Sequence, residues 1–398
     1  MGRGAPPVGG LNEVLDGKIF PDPLGGSDEC RDNAKWYIKR MLHPPFYDPA
    51  KSYADNLEYG PFNGFADGVV LPIEGEPRFE FLGQKINYPL GIPAGPLLDS
   101  KFVKAAFEKG FDIPVYKTVR ANEFPCHPFP NVLSVNVEGD LTLERTSRPL
   151  VADTNYDEPL SITNSFGVPS RPPAVWQEDA KSGIAAARSG QVMVLSFMGT
   201  VKEHQTPEEF IADFREAARL AAATGAKILE SDLSCPNIGN EGLVCYDLDM
   251  TEKVCAAVRE VIGDTPHILK VGYYKEDKDL ERLGEICQTY GQAISGINTL
   301  SGEIVDAEGK QALPGPNRKR GGVCGASIKW AGLDMARRLK AIRDRTKGTW
   351  KIVGVGGVMT PKDFKEYRDA GADVVMTATG AMWNPYLAKE IKEAYPDA

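Results

Sequence analysis

Residues 352–380 read IVGVGGVMTPKDFKEYRDAGADVVMTATG, and this stretch contains the unit from which the fold is built. A short apolar run, Ile352–Val355, is followed by a glycine turn, a helix signal at Pro361–Ala370 and a second apolar run, Val374–Ala378. The Thr360–Pro361 pair is typical of a helix start, because the hydroxyl caps free backbone N–H groups and proline suits the first helical position. The stretch therefore predicts a strand–helix–strand step of a parallel sheet.

The same step recurs from Pro89 onward. The predicted strands are Leu90–Ala94, Ile113–Thr118, Val192–Phe197, Ile228–Leu233, His267–Val271, Ala293–Asn298, Ile352–Val355 and Val374–Ala378. The predicted helices are Ser100–Lys109, Ala174–Ser189, Pro207–Thr224, Thr251–Ile262, Asp277–Tyr290, Ser327–Thr346, Pro361–Ala370 and Trp383–Glu393. Doubly wound sheets share this alternation, but their commoner versions use five or six strands. Strict alternation of eight strands and eight helices favours an α/β fold, a (β/α)8 TIM barrel.

The N-terminal part of the chain has little periodicity. We predict that residues 1–77 are an N-terminal extension packed on the barrel, and that residues 78–398 are the barrel itself. The extension includes a predicted helix at Asp28–Leu42. A hairpin of Arg78–Leu82 and Lys85–Asn87 is expected to close the bottom of the barrel.

Composition and charge exclude several classes of protein. The chain has 398 residues, 42% of them hydrophobic, and a net charge of −9, with one dense basic cluster at Arg318–Arg320. This argues against a general binder of nucleic acid or of an anionic membrane. The sequence has neither an apolar run of about 18 residues nor a signal-peptide core. A soluble, cytoplasmic protein without nucleic-acid or membrane partners is expected.

The seven cysteines, at positions 30, 126, 235, 245, 255, 287 and 324, form no framework. Their number is odd, no CxxC occurs, and the four histidines show no HxxxH or HxH spacing. Disulfides, structural zinc and an iron–sulfur cluster are therefore poorly supported, and no metal site is expected.

Candidate chemistry lies where predicted strands end, because the loops at the C-terminal strand ends of such barrels build the active site. Cys235 follows the fourth strand. It is either a partly exposed thiol at the barrel mouth, with its pKa adjusted by its surroundings, or a buried structural cysteine. Gly354–Val358, Thr377–Ala381 and Gly321–Gly325 are read as glycine loops whose N–H groups suit a phosphate, or as ordinary turns.

Two lysines and three asparagines complete this set. Lys117 and Lys270 end strands, where a buried ammonium needs an anionic ligand, a flavin-like ring or a Schiff-base carbonyl, unless it reaches solvent. Asn164, Asn237 and Asn298 each offer a donor and an acceptor to a cyclic amide, although asparagine is also a common turn residue.

These pieces resemble the dihydroorotate dehydrogenase family of FMN barrels. The most specific element, ESDLSCPN at Glu230–Asn237, is similar to the family's E-L-N-L-S-C-P-N. The supporting matches are Pro93–Pro96, Lys117–Thr118, Ser161–Pro169, Lys270, Asn298–Thr299, Gly321–Gly325, Gly356–Gly357 and Thr379–Gly380.

The resemblance implies oxidation of dihydroorotate to orotate in pyrimidine biosynthesis, with FMN as cofactor. Cys235 would remove the C5 proton while hydride passes from C6 to flavin N5, and Lys270 would stabilise charge on the reduced ring. The quinone-linked branch has Ser at this position, so the chain resembles the soluble class 1 branch. Such barrels are commonly dimers, and a homodimer is expected.

The resemblance also implies two sets of contacts. Substrate contacts would come from Lys117, Asn164, Phe166, Gly167, Val168, Asp232, Asn237, Asn298 and Thr299. FMN contacts would come from Ala94, Gly95, Lys117, Thr118, Lys270, Asn298, Gly322, Gly325, Gly356, Gly357, Thr379 and Gly380.

Three features depart from the family. Asp232 stands where the family has Asn, and its carboxylate would repel a substrate carboxylate. Three explanations are open: the substrate offers hydrogen-bond donors there, Asp232 is protonated, or its side chain points elsewhere. Phe166 replaces the usual Met. The segment Arg120–Leu160 is a long excursion, read as a lid, a dimer arm or a surface loop.

Three alternatives to dihydroorotate oxidation therefore stay open. The first is an FMN barrel acting on another dihydropyrimidine. The second is a non-flavin phosphate-binding lyase or isomerase that uses Lys117 or Lys270 as a Schiff base. The third is a non-catalytic barrel that serves as a subunit.

Overall fold

The computed structural model describes residues 14–15, 18–19, 43–234 and 244–398. The chain divides into two compact units, Met1–Leu42 and His43–Ala398. In the first unit, Val14–Leu15 pairs antiparallel with Lys18–Ile19. The predicted helix at Asp28–Leu42 lies outside the described residues. The predicted extension of residues 1–77 thus spans the first unit and the beginning of the second.

The second unit contains a closed barrel of eight parallel strands. Each strand pairs with its neighbours in the chain, and the eighth pairs with the first. The strands are Leu90–Ile92, Ile113–Val119, Val194–Phe197, Ile228–Asp232, His267–Val271, Ala293–Gly296, Lys351–Val355 and Val374–Met376. Each lies within two residues of its predicted bounds. The prediction of a (β/α)8 TIM barrel is confirmed.

Eight helices follow the eight strands. They are Ser100–Glu108, Pro173–Ala185, Pro207–Ala222, Leu248–Ile262, Asp277–Tyr290, Lys329–Thr346, Pro361–Asp369 and Leu387–Ala394. The side chain of Thr360 caps its helix as predicted, and both Thr206 and Thr360 take part in capping boxes. The predicted helix at Trp383–Glu393 is wrong at its start, since a short helix, Thr379–Trp383, ends before Pro385. Proline disfavours helical backbone at the preceding residue and has no N–H to donate.

The interior of the barrel is filled by apolar side chains from alternate strand positions. Ile113, Val194 and Ile268 are fully buried there. The predicted hairpin is present as Phe79–Phe81 and Gln84–Ile86, and the two residues Phe81 and Ile86 join the same interior cluster. Burial of side chains of this size stabilises a fold by about 1.5–3 kcal/mol each. The hairpin closes one end of the barrel, so the opposite end is left for ligands.

A second, smaller closed barrel of five strands stands at the C-terminal ends of the main strands. Its strands are Val132–Val135, Leu150–Asp153, Ser161–Asn164, Leu300–Val305 and Arg320–Gly325. Three come from the insertion after the second main strand and two from the insertion after the sixth. The excursion Arg120–Leu160 therefore supplies strands to this sheet. The interpretation of Gly321–Gly325 as a loop is wrong, because these residues pair with strands on both sides.

The segment that precedes the hairpin packs against the barrel mouth. The Phe46 N–H donates to the Met382 carbonyl at 3.0 Å, and the Phe46 ring stacks on Phe65 with centroids 3.9 Å apart. A helix, Tyr53–Tyr59, follows and begins with a Ser52 cap. Throughout the described ranges, every helix is too short or too polar to cross a bilayer.

Candidate active site

A cavity opens at the C-terminal ends of the barrel strands, beneath the second barrel. Its volume is about 790 Å³, including space open to solvent. The predicted site residues that line it are Ala94, Gly95, Asn164, Phe166, Lys270, Asn298, Thr299, Gly325, Gly356, Gly357, Thr379 and Gly380. Those that do not line it are Lys117, Thr118, Gly167, Val168, Asp232 and Gly322. Cys235 and Asn237 lie outside the described residues.

Lys270 brings a buried positive charge to the cavity. Its side chain is 3% exposed, and its ammonium donates to the Ala94 carbonyl at 3.2 Å. Within residues 43–234 and 244–398, no carboxylate lies within 4.0 Å of this ammonium. A buried cation without an ion-pair partner favours an anionic ligand or one that develops negative charge.

Lys117 and Thr118 lie beside the cavity, in the second barrel strand. The Lys117 ammonium sits 5.9 Å from the centroid of the Phe166 ring. The Thr118 hydroxyl is buried and shares a hydrogen bond of 3.1 Å with the Ser196 hydroxyl on the third strand. Thr118 is thus engaged inside the barrel wall, whereas Lys117 faces a ring that lines the cavity.

Side-chain amides line two sides of the cavity. The Asn298 amide donates to the Ser234 carbonyl at 3.3 Å. The Asn164 amide donates at 3.5 Å to the sulfur of Cys324, which also accepts from the Thr379 hydroxyl at 3.5 Å. Burial raises the pKa of the Cys324 thiol. Because a neutral sulfur is a weak acceptor, the amide of Asn164 is available to a stronger one.

The turn after the seventh strand needs glycine at two successive positions. Gly356 and Gly357 have φ values of +124° and +68°. A Cβ on Gly357 would also lie 2.7 Å from the backbone nitrogen of Lys329. Gly322 does not line the cavity, and its missing Cβ makes room for the Thr299 hydroxyl, which would lie 2.4 Å from a Cβ at this position.

Arg120, which the sequence interpretation did not include, fixes the turn that carries Phe166. The guanidinium is 1% exposed and donates to the carbonyls of Val168 at 2.9 Å and Gly167 at 3.1 Å. Both residues have positive φ. Arg120 thus holds the backbone turn next to Phe166, whose ring lies 5.6 Å from that of Tyr47.

Asp232 does not line the cavity, and its carboxylate is bonded to Ser234. It is 5% exposed, and its Oδ1 accepts hydrogen bonds from the Ser234 backbone N–H at 3.1 Å and from the Ser234 hydroxyl at 2.8 Å. The carboxylate closes a local turn at the end of the fourth strand. Of the three explanations for Asp at this position, the arrangement matches the one in which it points elsewhere.

Glu230 lies two residues earlier on the same strand and is completely buried. Neither carboxylate oxygen has a hydrogen bond of normal geometry to any described residue. Burial raises the pKa of Glu230 to about 7, with the Lys270 ammonium opposing and the Asp232 carboxylate adding to the rise. The sequence motif contained Glu230, but we assigned it no role.

Tyr47 is a second lining residue that the sequence did not indicate. It comes from the aperiodic segment before the hairpin, where neither spacing nor motif marks it. Its side chain is 1% exposed. The other unpredicted lining residues are mostly apolar, among them Val132, Ile162 and Met382.

Comparison with known proteins identifies the family. The sequence model of the family "Dihydroorotate dehydrogenase" matches residues 78–397. The chain belongs to the dihydroorotate dehydrogenase family. The resemblance inferred from the motifs is therefore confirmed.

Three relatives are similar to this chain, and two of them carry an electron acceptor in their names. The chain is 38% identical to "Dihydroorotate dehydrogenase" of Dictyostelium discoideum over 87% of this chain and 96% of that protein. It is 32% identical to a catalytic subunit of "Dihydroorotate dehydrogenase B (NAD(+))" of Trichlorobacter lovleyi over 47% and 58%. It is 27% identical to "Dihydroorotate dehydrogenase (quinone)" of Thermobifida fusca over 79% and 77%. The family is thus evident, while the acceptor differs among these relatives.

Proposed function

We propose that the protein oxidises dihydroorotate to orotate in pyrimidine biosynthesis, with FMN as its bound cofactor. Membership of the family supports the reaction. The observation that carries the proposal is the cavity, which brings the Lys270 ammonium, two asparagine amides and the glycine turns together at the barrel mouth. Cavities of a few hundred cubic ångströms with a few convergent polar groups are typical ligand sites.

The residues that line the cavity fit FMN. The glycine turn at Gly356–Gly357 has positive φ and no Cβ, so its backbone is open to a phosphate. The Lys270 ammonium would stand beside the ring system. When bound, the flavin supplies the acceptor for a hydride. Lys270 would stabilise the negative charge that develops there, in a site with little water to screen it.

The side chains on the substrate side would bind and orient the dihydropyrimidine. Asn164, Asn298 and Thr299 would contact its ring edge, and Lys117 its carboxylate. Cys235, assigned from the motif alone, would take the proton from C5. A carbon acid beside a carbonyl is weak, so the base depends on placement more than on strength.

The position of Asp232 removes one objection to dihydroorotate as the substrate. The departure from the family's Asn raised the concern of repulsion between two carboxylates. The Asp232 carboxylate is turned onto Ser234 and does not line the cavity. The reason for preferring another substrate is thereby weakened.

The test is the visible absorption of the purified protein before and after substrate. Dihydroorotate and dihydrouracil are added separately, without oxygen. Bleaching of the flavin band by dihydroorotate alone is expected. Bleaching by dihydrouracil alone would indicate the other substrate class. A colourless protein that borohydride crosslinks to a carbonyl substrate would instead indicate the Schiff-base lyase or isomerase. A flavoprotein that neither substrate reduces would favour the non-catalytic subunit.

We also propose a cytoplasmic homodimer. The absence of a spanning helix in the described residues is compatible with this location, and the net charge of −9 disfavours an anionic surface. Light scattering on the purified protein and fractionation of cells test the two statements. A monomeric mass or a membrane pellet would contradict them.

A further inference from the structure

The hydroxyl of Tyr47 is a buried polar group with no explained purpose. It has no hydrogen-bond partner among the described residues, although the side chain is 1% exposed. Buried polar groups nearly always have a partner, because the loss of water is otherwise uncompensated. The same side chain lines the cavity. A partner supplied by a bound ligand would resolve the anomaly.

The segment that carries Tyr47 is held firmly in place. The backbone N–H of Phe46 donates to the carbonyl of Met382 at 3.0 Å. The Tyr47 ring packs edge-on against Phe166, with an interplanar angle of 83°. A hydroxyl on a clamped ring is preorganised, so that ligand binding costs little side-chain entropy.

The surroundings of Tyr47 indicate what it would bind. Burial raises the pKa of Tyr47 far above its usual value, so the hydroxyl stays protonated and can donate. The Lys117 ammonium lies near the same Phe166 ring that Tyr47 contacts. A neutral donor and a cation around one aromatic side chain are suited to an oxygen-rich, anionic group.

We propose that Tyr47 is a substrate-binding residue, whose hydroxyl donates a hydrogen bond to an oxygen of the anionic dihydropyrimidine. The assignment rests on the proposed function. Tyr47 lies outside the residues 78–397 that the family model matches. The N-terminal segment of this chain therefore contributes directly to the active site.

The experiment compares Tyr47→Phe with Tyr53→Phe in the holoprotein. Tyr53 also packs on Phe166, with centroids 5.8 Å apart, but it does not line the cavity. Each substitution removes only a hydroxyl. FMN content reports on cofactor binding, and the thermal midpoint reports on folding. The change that orotate causes in the spectrum of the oxidised flavin gives the dissociation constant of orotate without turnover.

Tyr47→Phe is expected to raise the orotate dissociation constant and the KM for dihydroorotate by about tenfold or more, the range for a hydrogen bond to a charged group. FMN content should stay at the wild-type value, and Tyr53→Phe should match the wild type in all measurements. Unchanged orotate affinity in Tyr47→Phe, or loss of FMN in its place, would overturn the assignment. If dihydroorotate fails to reduce the wild-type flavin, the proposed function fails first, and this inference with it.

Discussion

Replacing the buried Glu230 by Gln should make the protein more stable at alkaline pH than the wild type. The glutamine amide has nearly the same size, and it stays neutral at every pH. Glu230 is fully buried; neither carboxylate oxygen has a hydrogen bond of normal geometry to a described residue, and the nearby Ser196 hydroxyl lowers its pKa only in part. The wild-type protein must therefore bury either a proton or an unpaired charge at this position.

The size and sign of the effect follow from the pKa of Glu230, which burial raises from 4.5 to about 7. Below pH 4.5 the group is protonated in both the folded and the unfolded chain. Between pH 4.5 and 7 only the unfolded chain loses the proton, so the free energy of unfolding falls as pH rises. The total loss is about 3 kcal/mol, since one pKa unit corresponds to about 1.4 kcal/mol. Most of this loss falls between pH 5 and pH 8.

Urea unfolding at pH 5 and pH 8, followed by fluorescence, measures this dependence. The gap between Glu230→Gln and the wild type should widen by about 2–3 kcal/mol in favour of the variant from pH 5 to pH 8. Glu80→Gln, in the exposed face of the hairpin, is the matched control and should show a constant gap. If the free energies of unfolding of the wild type and of Glu230→Gln change equally with pH, the Glu230 carboxyl does not titrate as the structure indicates.

Three further substitutions test the site. Cys235→Ala should retain FMN but slow flavin reduction by dihydroorotate by about two orders of magnitude or more, because it removes a positioned base; equal stopped-flow rates would exclude this role. Lys270→Ala should weaken FMN binding, measured by fluorescence titration, and slow reduction, because it removes the buried cation; an unaltered dissociation constant and rate would refute the assignment. Gly357→Ala should lower the free energy of unfolding by more than about 1 kcal/mol, since φ is +68° and the added Cβ would meet Lys329. A variant that unfolds at the same urea concentration as the wild type would contradict this.

The main barrel could be predicted from sequence because its signals are local. Each strand–helix step has its own apolar run and turn, as Ile352–Val355 and the Thr360 cap illustrate. The start of the last predicted helix was misjudged at Pro385, although the proline itself was the available signal. The glycines at 356 and 357 were recognised because their turn immediately follows a strand.

Contacts between distant parts of the chain could not be predicted in the same way. Gly321–Gly325 has the composition of a loop, and only its pairing with Ser161–Asn164 makes it a strand. Arg120 acts on the carbonyls of Gly167 and Val168, about fifty positions away, through backbone atoms that leave no sequence pattern. Tyr47 reaches the cavity from a segment without periodicity. Tertiary packing, not propensity, decides these positions.

The small second barrel also sets the order in which the protein can become competent to bind. The Asn164 amide meets the Cys324 sulfur across 160 positions of chain, and the strands around these residues pair with each other. Non-local pairing forms slowly, because a long loop must close before any contact compensates for it. During synthesis, residues near Asn164 must wait for Gly325 to emerge from the ribosome. Binding competence is therefore a late event in folding, because the cavity also needs Gly356, Gly357, Thr379 and Gly380, which follow the seventh and eighth main strands.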